Sequence, residues 1–129
     1  MRDFCYAVPG LLDLGHAEQV KNQIAVCFKY QRIDGLIARG FDVINPKLRV
    51  TAGTIGMQDN VGGDYSKKPL KAEYLGEHGT PSVDSNLLVL LVCLQWMDAT
   101  KDKSFWKDNE KALERTFNYI LTLKQDSLL

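Results

Sequence analysis

The sequence predicts an all-α fold built from two antiparallel helical hairpins with a long irregular segment between them. Three observations predict it. Residues 16–31 place Ala17, Val20, Ile24, Cys27, Phe28 and Gln31 at spacings of three and four, which is one face of an amphipathic helix. Residues 87–94 (Leu-Leu-Val-Leu-Leu-Val-Cys-Leu) are apolar without a break, so a helix there has no polar side and needs cover all round. From about Ile37 to Thr80 the periodicity vanishes among recurrent glycines and prolines. A loop beyond ~12–15 residues is uncommon in a compact domain unless it has a function or is disordered.

The elements follow in order. Residues 3–14 are apolar with helical spacing, but Pro9-Gly10 interrupts them, and an interior proline removes a hydrogen bond. A bent helix or two short turns is expected, ended by Gly15. The helix over 16–31 stops at Asp34-Gly35, since glycine tolerates a left-handed turn. Within 37–80, Leu48 to Thr51 reads as a short strand and Leu70 to Leu75 as a turn of helix. A third helix starts near Thr80-Pro81, a hydroxyl cap followed by proline at the first position, and runs to about Ala99. Lys101-Asp102-Lys103 turns the chain, Ser104 caps the fourth helix, and Trp106, Leu113, Phe117, Ile120 and Leu121 form its apolar stripe. An all-apolar helix paired with an amphipathic one suggests an inner and an outer layer.

Bulk composition narrows the function. The chain of 129 residues reads as one helical domain, with ordinary hydrophobic and charged shares of 45% and 25%. Sixteen basic and sixteen acidic residues cancel, and no basic block or basic-aromatic stripe offers a footprint for nucleic acid or an anionic membrane. The apolar run is too short for the ~20 residues that cross a bilayer, and the first residues lack a signal-peptide layout. Cys5, Cys27 and Cys93 are far apart among apolar neighbours, so buried thiols in a reducing, cytoplasmic setting are expected, with no metal and no cofactor.

Few groups remain for chemistry. Asp84, Ser85 and Asn86 open the apolar helix, and Arg2-Asp3 opens the first one. If both hairpins run in the same sense, these starts share a rim that the 37–80 segment also crosses. Aspartate accepts and arginine donates in a rigid fork, a combination suited to sugar hydroxyls, although an aspartate at a helix start is also favoured by the macrodipole alone. Asp13, His16 and Glu18 do not converge as metal ligands, and His78 beside Gly79 reads as a turn residue. Gly53-Thr54-Ile55-Gly56 lacks the lysine and hydroxyl of a phosphate loop. Trp96 and Trp106 sit at core spacing; Tyr65 and Tyr74, in the long segment, are the aromatics available for sugar stacking.

Arg2-Asp3, then Tyr6-Ala7-Val8-Pro9-Gly10-Leu11-Leu12, then Gly35-Leu36-Ile37, then Val83-Asp84-Ser85-Asn86-Leu87-Leu88 occur in this order. Order and spacing resemble the six-hairpin glycosidase superfamily, an α/α toroid, and especially the C-terminal amylo-α-1,6-glucosidase domain of glycogen debranching enzymes. Those domains carry "RD…PGLL", "GLIP" and "VDA/VDS" before an apolar helix. The resemblance implies that Arg2, Asp3 and Asp84 face the toroid centre as carbohydrate-binding residues and that residues 37–80 shape the mouth, where Arg39 and Tyr74 lie. There are departures: the family's proline is Ala38 here, followed by Arg39, and Met1 stands where an aromatic often precedes the Arg-Asp pair.

Two hairpins are a part of six, and the relatives' general acid and base lie further downstream than Asp84. The expectation is therefore a fragment, from a split or truncated gene, of a glycoside hydrolase-like domain. It binds an α-glucan or oligosaccharide, with its catalytic residues unassigned and supplied by a complementing polypeptide. The rival expectation is a non-catalytic helical interaction module. An open pair of hairpins leaves one side of the apolar helix bare, at ~1.5–3 kcal/mol per large side chain, so self-association into a homo-oligomer is expected of such a module.

Overall fold

A three-residue connection, Leu14 to His16, folds α1 (Arg2–Asp13) back against α2 (Ala17–Lys29), with Gly15 at φ 84° making the turn. The computed structural model describes residues 1–42, 70–76 and 79–125. The remaining described elements are β1 (Gly40–Asp42), β2 (Lys71–Glu73), α3 (Asp84–Thr100) and α4 (Ser104–Gln125). The molecule is thus mostly helical, with a small antiparallel sheet in which Gly40 faces Glu73, Phe41 faces Ala72 and Asp42 faces Lys71. The expected strand at Leu48 to Thr51 lies outside the described residues, as do Tyr65, His78 and the Gly53-Thr54-Ile55-Gly56 stretch.

Several boundaries differ from expectation for identifiable reasons. α1 is one uninterrupted helix through Pro9, not two short turns. Leu70 to Leu75 is not a turn of helix: Lys71 to Glu73 is a strand, and Arg39 N–H donates to Glu73 O at 2.6 Å. A six-residue stretch gains too few helical hydrogen bonds to offset nucleation, whereas pairing with Gly40 to Asp42 supplies partners at once. Pro81 does not open α3. It bridges to Leu75, Ser82 N–H donates to Tyr74 O at 3.2 Å, and the helix begins at Asp84. α2 ends at Lys29, so Gln31 falls beyond it, and Gly35 at φ 96° closes a later turn. At the start of α4 the cap is Asp102, not Ser104: its Oδ1 accepts from Ser104 N–H at 2.9 Å and from Ser104 Oγ at 2.7 Å.

α3 is the central helix, touching α1, α2 and α4. Val89, Val92, Cys93 and Trp96 point into the core beside Val8, Val20, Ile24 and Leu113. Trp96 is held in place, as its Nε1 donates to Ala17 O at 2.7 Å and its ring lies 4.7 Å from that of Phe105. The uninterrupted apolar run is not covered all round, since Leu87, Leu91 and Leu94 are 53%, 49% and 55% exposed. The expected stripe of α4 is also only partly interior. Leu113 is buried, while Trp106, Phe117 and Leu121 are exposed and Phe105 takes the core position instead.

The three cysteines are free and buried. Loss of solvation pushes the Cys27 and Cys93 thiols up to about 12, with the neighbouring thiols adding to it, and raises Cys5 as well. Only the thiolate is reactive. The native protein at about pH 8 is therefore expected to leave all three thiols unmodified by a disulfide reagent, with full reaction in denaturant; fast labelling of any one in the native state would contradict a closed core.

Candidate functional site

Arg2 is the first residue of α1 and Asp84 the first of α3, 82 positions apart, and the fold brings them together. Arg2 Nε donates to Asp84 Oδ2 at 3.0 Å, and a terminal guanidinium nitrogen reaches the same oxygen. Ser82 Oγ donates to the other carboxylate oxygen, Oδ1, at 2.6 Å. Ser82 is itself placed by its backbone bond to Tyr74, so β2 and the bridge at Pro81 aim the hydroxyl at the carboxylate. The cluster is open to solvent, with the Arg2 and Asp84 side chains 64% and 39% exposed.

The remaining site residues are placed differently. Asp3 is exposed in the first turn of α1, next to Arg2. Arg39 is exposed, and its backbone joins the sheet. Neither side chain contacts the Arg2–Asp84 pair by a hydrogen bond or ion pair among the described residues. Tyr74 is partly buried, its hydroxyl donates to Tyr30 O, and Arg32 lies 5.8 Å from its ring centre. One face of that ring is thus taken by a cation within the chain. Asp13, His16 and Glu18 are exposed, and no group of three His, Cys, Asp or Glu among the described residues is placed to hold a metal ion. No described helix is long and apolar enough to cross a membrane.

The carboxamide of Asn86 does not belong to a polar mouth. It is fully buried: Oδ1 accepts from Ile37 N–H at 2.9 Å, and Nδ2 donates to Gly35 O at 2.9 Å and Thr116 O at 3.2 Å. Gln31 Nε2 adds bonds to Gly35 O, Ala112 O and Thr116 Oγ1. Gly35 has no room for a side chain, since a Cβ would stand 2.0 Å from Arg115 O. The Gly35-Leu36-Ile37 and Ser85-Asn86 motifs are therefore structural, and they fix the start of α3. The signal that was missed is compositional: an asparagine directly before an apolar run has either water or backbone as its partner, and here it is backbone.

The bond from Ser82, followed by that from Arg2, holds the Asp84 carboxyl below the usual carboxylate range. A depressed folded value contributes stability that is complete above the unfolded value of ~3.9 and is lost as pH falls through the folded one. Comparison of the chain with family models, with curated proteins and with solved structures finds no match. Asp84→Asn is expected to be less stable than the parent near neutral pH, with the gap narrowing in urea titrations as pH drops below ~4. A gap that stays constant down to ~pH 2 would mean that the carboxylate takes no part.

Proposed function

We propose that this chain forms one wall of a carbohydrate site of the six-hairpin glycosidase type, with Arg2 and Asp84 as its sugar-contacting pair. The observation that carries the reading is the meeting of these two residues, from the starts of two separate helices, on one solvent-facing rim. The motif order Arg2-Asp3, Gly35-Leu36-Ile37 and Val83-Asp84-Ser85 supports it independently.

The chemistry follows from the groups. Arg2 commits its Nε and one terminal nitrogen to a single oxygen of Asp84, which leaves further guanidinium N–H donors on a side chain that is 64% exposed. The carboxylate keeps lone pairs beyond those used by Ser82 and Arg2. A donor and an acceptor side by side match two adjacent sugar hydroxyls, one accepting from arginine and the other donating to aspartate. Asp3, on the same turn, supplies a second acceptor.

Hydrolysis is a separate demand. It needs a protonated carboxyl as acid and a second carboxyl about 5–5.5 Å away for retention or ~6.5–9.5 Å for inversion. Asp84, with its proton affinity depressed, stays ionised and suits binding rather than proton donation. In this reading, the catalytic carboxylates come from another polypeptide or segment that completes the ring.

Calorimetric titration with maltooligosaccharides tests the proposal. The parent is expected to give a saturable heat that Arg2→Ala and Asp84→Ala each reduce at least ~10-fold in affinity. No heat from any of the three, or equal heat from all, would overturn it.

A further inference from the structure

A sugar offers two different surfaces to a protein. Its hydroxyls lie mostly around the edge of the ring, where donors and acceptors such as Arg2 and Asp84 meet them. Its ring faces carry C–H groups, and these are matched by an apolar platform, most often an aromatic side chain. Tyr74, the aromatic expected for that part, has Arg32 over its ring and its hydroxyl bonded to Tyr30 O.

Tyr6 answers the requirement instead. It stands four residues after Arg2 and three after Asp3 in α1. At those steps side chains share one face of a helix, with Cβ atoms ~5–6 Å apart. Long side chains on a helix lean toward its N-terminus, so the Tyr6 ring covers the turn that holds Arg2 and Asp3. The Arg2 guanidinium is raised above its ordinary value chiefly by its bond to Asp84, and Tyr6 and Asp3 are near enough to add to that. The ring of Tyr6 is 70% exposed, and among the described residues it stacks on no other aromatic and carries no cation on its face. Cys5 and Val8 anchor α1 in the core, so packing does not call for a tyrosine here. An exposed aromatic by itself is ordinary. One within a turn of a donor and an acceptor brought together from two helices gives the rim an edge contact and a face contact at once.

We propose that Tyr6 is the stacking platform of this rim, taking the C–H face of a pyranose ring whose edge hydroxyls reach Arg2 and Asp84. The inference rests on the carbohydrate reading of the site and adds selectivity to it. The ligand that fits is a gluco-configured pyranose, whose non-anomeric hydroxyls are all equatorial and whose faces are therefore rich in C–H.

Maltotriose is the probe, titrated into the parent, Arg2→Ala, Tyr6→Ala and Tyr6→Phe, with calorimetry reading affinity and proton NMR reading the sugar. Since Tyr6 lies outside the core, both of its variants are expected to keep the circular dichroism of the parent. Tyr6→Ala is expected to weaken binding at least ~5-fold and Tyr6→Phe by no more than ~2-fold, because stacking needs the ring and not the hydroxyl. Sugar C–H protons should move upfield in the ring current with the parent and with Tyr6→Phe, and should not move with Tyr6→Ala. Parent-like affinity in Tyr6→Ala, with Arg2→Ala weakened, would overturn the platform and leave the carbohydrate reading standing. A loss in Tyr6→Phe as large as in Tyr6→Ala would also overturn it, since the hydroxyl would then be the contact. No binding by the parent would overturn both.

Discussion

The carboxamide of Asn86 is the interaction on which the rest of this structure depends. A polar group with no solvent access destabilises a fold by ~1–3 kcal/mol for each partner it lacks, and this one has three. Its oxygen is bonded to Ile37 and its nitrogen to Gly35 and Thr116, so one side chain ties the segment after α2 and the middle of α4 to the first turn of α3. The geometry allows no substitute at Gly35, where both the positive φ and the closeness of the Arg115 carbonyl exclude a side chain. Gln31 and Thr116 extend the same network, Thr116 accepting from Gln31 while donating to Ala112 O.

That knot explains how an exposed ion pair acquires a defined position. A surface arginine and aspartate in isolation contribute little and wander. Asp84 is two residues from Asn86, however, and Ser82 holds its other oxygen, so the carboxylate has a second anchor besides Arg2. Fixed direction matters more for recognising a ligand than for stability. The exposed strip on α3 has the same origin: with three sides of the helix taken by α1, α2 and α4, Leu87, Leu91 and Leu94 are left on the fourth.

Much of this was legible in the residues. The periodicity of 16–31, the apolar run and the charged face of the last helix located α2, α3 and α4, because each signal spans several turns. The proximity of Arg2 and Asp84 followed from two hairpins running in the same sense. What escaped the sequence were features set by single residues or by partners far along the chain. Nothing local distinguishes the strand Lys71 to Glu73 from a helical turn, since its partner at Gly40 to Asp42 is some thirty residues away. Pro81 has the position of a helix start, yet the bridge to Leu75 claims it first. Apolar spacing could not tell Phe105, which enters the core, from Trp106, which lines an open groove, because both satisfy the same count. The role of Asn86 was hidden for a similar reason, as its partners are backbone groups with no signature of their own.

The backbone N–H of Ile37 tests this account most directly, because Ile37 lies in no helix or strand and, among the described residues, its N–H donates to Asn86 alone. Native-state hydrogen exchange is predicted to place Ile37 among the slowest amides, opening only with the whole molecule, alongside those of Val92 and Cys93 in the centre of α3. Exchange of Ile37 at the rate of an exposed loop, while α3 remains protected, would contradict the claim that this knot holds the two hairpins together.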